Sequence, residues 1–293
     1  MFGPNVTACI DGEYFHHRGE RFHGLMRDIE QTFVDKFGLQ DYDVLVVTGS
    51  GTLVNEIVMS SLDGVVQVHD TDAMFGRRLF DMRVAHSCEQ AANRAVVSSA
   101  HVLYETSLSR FNTVLSCAKK TGLTFIDMVS AFPYYSVPVC ADVFTTVSSK
   151  QLGAYPVLGV LCIRKELRHE AYFRHQPGSI LDVYRHLSFF DKHETAHTAA
   201  IPLYVDLLKK LRDFDRAAFI EKIDARRTQV LESVRNEWVI GQGPVITLSR
   251  TDVLDGVAHE LSLYRGAAGY QLFLWSGTDA QYDDLCRRLK LIR

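Results

Sequence analysis

Four stretches of the chain carry residues whose types and spacing suit chemistry. Thr48-Gly49-Ser50-Gly51-Thr52 stands between an apolar run and a helical pattern. Glycines let the backbone approach a ligand closely, and the free N–H groups of a helix start, with the hydroxyls beside them, suit a phosphate. The stretch is neither a Walker loop nor GxGxxG, and its plain alternative is a strand-to-helix turn. Asp127 follows the apolar run Leu123–Ile126. A carboxylate there stands where open α/β sheets place ligands, to hold a ring nitrogen protonated or simply to cap a helix. Lys150 closes the hydroxyl-rich run Phe144–Ser149. Partial desolvation there lowers an amine pKa and favours Schiff-base chemistry; otherwise Lys150 is a surface lysine. Finally, His193-Glu194-Thr195-Ala196-His197 matches HExxH. On a helix that spacing sets two imidazoles on one face for zinc, with the glutamate as general base. Pro202 limits such a helix, and the metzincin extension with a third His is absent.

The elements that must position these groups follow from hydrophobic period. Phe22, Leu25, Met26, Ile29, Phe33 and Phe37 recur at helical spacing, and Gly38 follows as a C-cap. A strand over 44–47 leads through the Gly-rich turn to a helix with Leu53, Val54, Ile57, Val58 and Leu62 on its apolar side, then to a strand over 65–68. Strands are expected over 101–104, 123–126, 143–147 and 157–163, with a helix over 111–121. Apolar strands alternating with helices predict an α/β sheet covered on both faces. Beyond residue 180 the texture changes: helices over 202–211 and 217–238, a strand over 245–248, a helix near 257–264, a strand over 270–275 and a final helix. The resulting division is an N-terminal segment (1–20), a large domain (21–195) and a small α+β domain (196–293).

Bulk composition narrows the function classes. The chain has 293 residues, 47% hydrophobic and 23% charged, which is ordinary for a globular enzyme. A net charge of −3 offers no basic field to nucleic acid or an anionic membrane. The six cysteines are scattered with no CxxC pair, which reads as reduced thiols in a cytoplasmic protein. No signal peptide and no transmembrane run of about 18 apolar residues is visible.

Taken in chain order, the stretches resemble the class V aminotransferase family of fold-type-I pyridoxal-phosphate (PLP) enzymes, near alanine–glyoxylate and 2-aminoethylphosphonate transaminases. They are Gly3-Pro4-Asn5, His17-Arg18 with Phe22, the TGSGT turn with Glu56, Phe75-Gly76-Arg77-Arg78, Glu105-Thr106-Ser107, Asp127-Met128-Val129-Ser130 and Ser148-Ser149-Lys150. The resemblance runs from residue 3 to about 211. It implies a large domain with a mostly parallel sheet flanked by helices, plus a smaller C-terminal α+β domain. It implies that Lys150 holds PLP as a Schiff base and then shuttles a proton, while Asp127 pairs with the ring nitrogen. Phe75 would stack on the ring, and Ser50, Gly51, Thr52 and Ser149 would bind the phosphate. Thr106 and Val129 would complete the cofactor contacts, and Thr198 would reach the phosphate of a neighbouring subunit in a homodimer with shared sites. Asn5 and Arg18 would meet the substrate.

The sequence departs from the family pattern on the late strand Tyr270–Trp275, where Leu272 stands in place of the arginine that clamps a substrate carboxylate. Arg18, Arg185 and Arg265 are the candidates to replace that charge. The expected activity is therefore PLP-dependent amino transfer between a small or atypical amine or amino acid and a keto acid. Three alternatives stand beside it: decarboxylation or a lyase step on the same cofactor, a zinc hydrolase using His193 and His197, and a catalytically silent PLP-fold binding protein. The desulfurase branch fits less well, since no Cys stands in a recognisable mobile-loop motif.

Overall fold

A computed structural model describes residues 7–10, 13–68, 74–86, 99–104, 122–168, 172–261, 263–265 and 269–293. The chain opens with a hairpin of β1 (Thr7–Ile10) and β2 (Glu13–His16). Helix α1 (Glu20–Phe37) then buries Phe22, Met26, Ile29 and Phe33, the face anticipated from spacing. It stops at Gly38, whose φ of 69° is the left-handed conformation a side chain would resist and whose N–H donates to the Val34 carbonyl.

Strand β3 (Tyr42–Thr48) feeds α2 (Gly51–Ser61), and β4 (Val65–Val68), α3 (Met74–His86) and β5 (Ser99–Tyr104) follow. Next come β6 (Leu123–Asp127), β7 (Val143–Val147) and β8 (Leu158–Arg164). Together they form a six-stranded sheet in the order β3-β8-β7-β6-β5-β4. Pairings β4–β5, β5–β6 and β6–β7 are parallel, and β8 runs antiparallel to both its neighbours. Every residue of β6 and β7 is buried, as expected of strands covered on both faces. Helices α4 (Val183–Phe190) and α5 (Ile201–Asp213) complete this unit, α5 burying Ile201, Tyr204, Leu207 and Leu211. Tyr204 is fully buried, with its hydroxyl 3.2 Å from Thr48 Oγ1, so α5 belongs to the large unit. That unit runs on to Phe214, beyond the residue-195 boundary anticipated from the change of texture.

Among the described residues, Asp215–Arg293 make up the small unit. It contains α6 (Arg216–Leu231), β9 (Val239–Gln242), β10 (Val245–Leu248), α7 (Asp252–Val257), β11 (Tyr264–Arg265), β12 (Tyr270–Phe273) and α8 (Asp279–Ile292). Its antiparallel sheet has the order β11-β12-β10-β9. Arg226 is buried on α6 and donates to the carbonyls of Leu274, Ser276 and Gly277, which fixes the turn into α8.

Three elements differ from expectation. The helix expected over 217–238 ends at Leu231, because the chain turns to bury Val234 and Trp238, and only a 3-10 turn occupies Asn236–Trp238. The helix expected near 257–264 lies earlier, started by Thr251, whose Oγ1 caps the Leu254 N–H. The HExxH stretch is not helical: α4 stops at Phe190, and His193 sits at a φ of 53°. The helix expected over 111–121 lies outside the described residues.

Candidate active site

Strands β3, β6 and β7 end on the same edge of the sheet, and β8, being antiparallel, begins there. The side chains that follow those ends meet in a cavity of about 330 Å³. Its lining includes Ser50, Gly51, Thr52, Phe75, Asp127, Val129, Ser149 and Lys150, all singled out from sequence.

Asp127 closes β6 with 2% of its surface exposed. Oδ1 accepts from the Val129 N–H at 2.9 Å, and Oδ2 accepts from Asn55 Nδ2 at 2.7 Å. Burial pushes its carboxyl above the usual range, and those two donors and the charge of Lys150 pull the other way. Lys150 follows β7, and its Nζ donates to Ser130 Oγ at 2.7 Å and lies 5.7 Å from the centre of the Phe75 ring. Desolvation lowers its pKa, opposed by Asp127. A lysine poised towards its neutral form beside a buried carboxylate suits covalent chemistry at a carbonyl.

The mouth of the cavity is the start of α2. Ser50 caps the helix, its Oγ and carbonyl accepting from the Leu53 N–H at 3.3 and 3.0 Å, and the Gly51 and Thr52 N–H groups ahead of it have no carbonyl one turn back within the helix. A Cβ on Gly51 would stand 2.9 Å from Val129 Cγ2 and 2.9 Å from Val147 Cγ1, so this position admits no side chain without displacing a wall of the cavity. Arg78 completes the rim, with Nη1 3.4 Å from Thr52 Oγ1 and its guanidinium 5.7 Å from the Phe75 ring centre. A glycine-lined helix start, a carboxylate at the floor and a desolvated amine fit an anionic, carbonyl-bearing aromatic cofactor.

Known structures decide the fold. The chain superimposes on an aspartate aminotransferase of subgroup IV from Thermus thermophilus with a TM-score of 0.76, at 16% identity over 96% of this chain and 92% of that one. An alanine–glyoxylate aminotransferase from Nostoc sp. gives 0.72 at 17% identity, over 94% and 88%. A PLP-bound phosphoserine aminotransferase from Trichomonas vaginalis gives 0.69 at 14% identity, over 96% and 92%. The chain has the aminotransferase fold. No family model matches the sequence, and no curated protein does. The likeness is thus one of fold, at 14–17% identity to these structures.

The remaining sequence candidates lie elsewhere. Thr198 is exposed and does not line the cavity. Arg18 pairs with Glu194 and stacks over Phe189 at 4.8 Å, away from the cavity lining. Asn5 and Thr106 lie outside the described residues. Within HExxH, Glu194 is held by Arg18 and His23, and His197 Nε2 accepts from the Thr48 N–H at 3.0 Å. Those commitments, on a non-helical stretch, remove the zinc geometry, and no metal-binding cluster of His, Cys, Asp and Glu occurs among the described residues. Sequence reading gave no role to Asn55, Ser130, Arg78 or Val157, all of which line the cavity. The one sequence signal for Asn55 was a polar residue on the apolar side of a helix, between Val54 and Val58.

Proposed function

We propose that this chain is a PLP-dependent aminotransferase acting on a small amine or amino acid and a keto acid. The observation that carries the reading is the convergence of Lys150 Nζ and the Asp127 carboxylate in one cavity whose mouth is the start of α2. When bound, PLP supplies an aldehyde that condenses with amines and a ring that draws electrons from the bonds of the amine-bearing carbon. Lys150 would hold it, and its Nζ would accept and return a proton beside Ser130, which keeps the amine in place through Oγ. Asp127 keeps a negative charge at the cavity floor for a ring N–H. Phe75 offers an apolar face, and Ser50, Gly51, Thr52 and Ser149 offer donors to the phosphate.

Arg78 is the guanidinium that lines the cavity, whereas Arg18 is engaged by Glu194, which favours Arg78 for an anionic group of the amine or keto acid. Thr198, exposed away from its own cavity, is assigned to the site of a second copy in a homodimer. The scattered cysteines support a cytoplasmic setting, and no helix among the described residues is long and apolar enough to cross a membrane.

The test is covalent. Purified protein given PLP and then borohydride should carry a mass label on the peptide containing Lys150, and Lys150→Ala should lose both label and turnover. A label on another lysine, or full turnover in Lys150→Ala, would refute the reading.

A further inference from the structure

Asp127 faces an unusual cost. It is 2% exposed, and burial alone drives a carboxyl towards its neutral form. A neutral acid cannot hold a ring nitrogen protonated, so something must keep the charge in place.

The neighbours are arranged to do so. The parallel pairing of β6 with β7 sets Asp127 directly beside Thr145. Thr145 is fully buried, and its Oγ1 donates to Asn55 Oδ1 at 2.5 Å. That bond satisfies the Asn55 carbonyl oxygen. An ionised carboxylate can only accept, so the amide turns its NH2 to Asp127, and Nδ2 donates to Oδ2 at 2.7 Å. The backbone holds the other oxygen through the Val129 N–H, and the Met128 N–H donates to the Thr145 carbonyl, which locks the two strand ends together. Asn55 is itself 6% exposed and reaches from the buried side of α2, the helix whose start forms the mouth of the cavity. The charge acting on Asp127 is that of Lys150, across the cavity.

We propose that Asn55 and Thr145 are positioning residues, a two-step hydrogen-bond relay that fixes Asp127 as an ionised acceptor at the cavity floor. A flipped amide would point its oxygen at the carboxylate and repel it. The carboxylate, which only accepts, draws the amide NH2 to itself, and the threonine hydroxyl supports that orientation by donating to Oδ1, so Thr145 steadies the support of Asp127 without touching it. The relay deepens the reading of Asp127 as the partner of a ring nitrogen, but its geometry belongs to the protein alone.

The experiment is a carboxyl-carbon NMR titration of the full-length protein without cofactor, the Asp127 signal being assigned by its loss in Asp127→Asn. Asn55→Leu should raise the Asp127 midpoint by about one pH unit or more, the loss of one charge-assisted donor. Thr145→Val, nearly isosteric, should raise it as well, and Thr145→Ser, which keeps the hydroxyl, should restore the wild-type midpoint. With PLP bound, the first two variants should shift the pH dependence of the cofactor absorbance in the same order. If Asn55→Leu does not fold, the Thr145 pair decides alone. Equal midpoints in Thr145→Val and wild type would overturn the relay even if Lys150 takes the borohydride label. A shifted midpoint in a protein that binds no PLP would sustain the relay and sink the proposed function instead.

Discussion

Adding one methyl group at Gly51 tests how the cavity mouth is built. In Gly51→Ala the new Cβ stands 2.9 Å from Val129 Cγ2, 2.9 Å from Val147 Cγ1 and 3.2 Å from Val129 Cγ1. Carbon pairs rest at about 3.5–4.0 Å, so both valines must retreat by roughly half an ångström or more. Neither does so freely. Both are β-branched and stiff at χ1. Val147 ends a fully buried strand, and Val129 donates its N–H to Asp127. Overpacking of this kind costs about 1–3 kcal/mol. For a unit of roughly 200 residues that lowers the melting temperature by about 2–12 °C. Urea unfolding should show a lower midpoint with an unchanged slope. The same displacement moves the walls beside the phosphate-binding turn, so PLP affinity should fall at least about tenfold, or about 1.4 kcal/mol. Gly256→Ala is the control: nothing lies within 4 Å of its added Cβ in α7, and alanine there should be neutral or gain up to about 1 kcal/mol. A Gly51→Ala protein with wild-type midpoint and wild-type PLP affinity would show that the turn does not press on the cavity walls.

Other expected outcomes address the remaining groups. Asp127→Asn should retain PLP but slow proton abstraction by orders of magnitude in single-turnover absorbance measurements, and an unchanged rate would remove Asp127 from its assigned role. Arg78→Leu should raise KM for anionic amine donors about tenfold or more, with a smaller change for neutral amines; equal effects on both would separate Arg78 from substrate charge. Burial, followed by the charges of His186, Arg18, Arg185 and His17, lowers the His197 pKa from 6.5 to about 4. Between those values the unfolded chain takes up a proton that the folded chain refuses. Stability should therefore fall as pH drops from about 6.5 to 4, by about 1–2 kcal/mol once solvent screening of the partly exposed ring is allowed for. In urea titrations across that range, His197→Gln should flatten the profile, and parallel profiles would acquit His197.

Most of the large unit was legible because its elements are fixed by patterns a linear reading can see. Phe22 to Phe33 at helical spacing, the run Val44–Val47 in β3, the largely apolar strands β6 and β7, and Gly38 all announce themselves. Ser50, Gly51, Thr52, Asp127 and Lys150 were legible for a related reason: each stands next to the end of a strand, where the chain order of motifs mirrors their arrangement in space. What the sequence concealed depends on contacts between distant elements. Thr145 reads as one residue of a buried strand until register sets it beside Asp127. Arg78 reads as part of a helix until α3 brings it to Thr52, 26 positions away. HExxH misled in the opposite sense, since the spacing is meaningful only on a helix and the helix had already ended at Phe190. Trp238, apolar and late in a helical pattern, extended an expected helix past the point where the backbone turns inward to bury it.

The cavity sets two desolvated groups of opposite charge against each other, and the hydrogen bonds decide which yields. Burial pushes Asp127 up and Lys150 down, so each alone would drift towards neutrality, and their mutual attraction resists both shifts. The supports are unequal. Among the described residues, Asp127 receives two charge-assisted donors, from Val129 and Asn55, whereas Lys150 has Ser130 Oγ. Each bond to a charged group contributes about 1.5–3 kcal/mol, so the carboxylate is the better supported of the two. Desolvation of Lys150 favours the neutral amine, the form that attacks a carbonyl, while the charge of Asp127 opposes that shift. Asn55 is what creates the inequality. Without its NH2 the carboxylate would lose one of the two donors that oppose the upward push of burial.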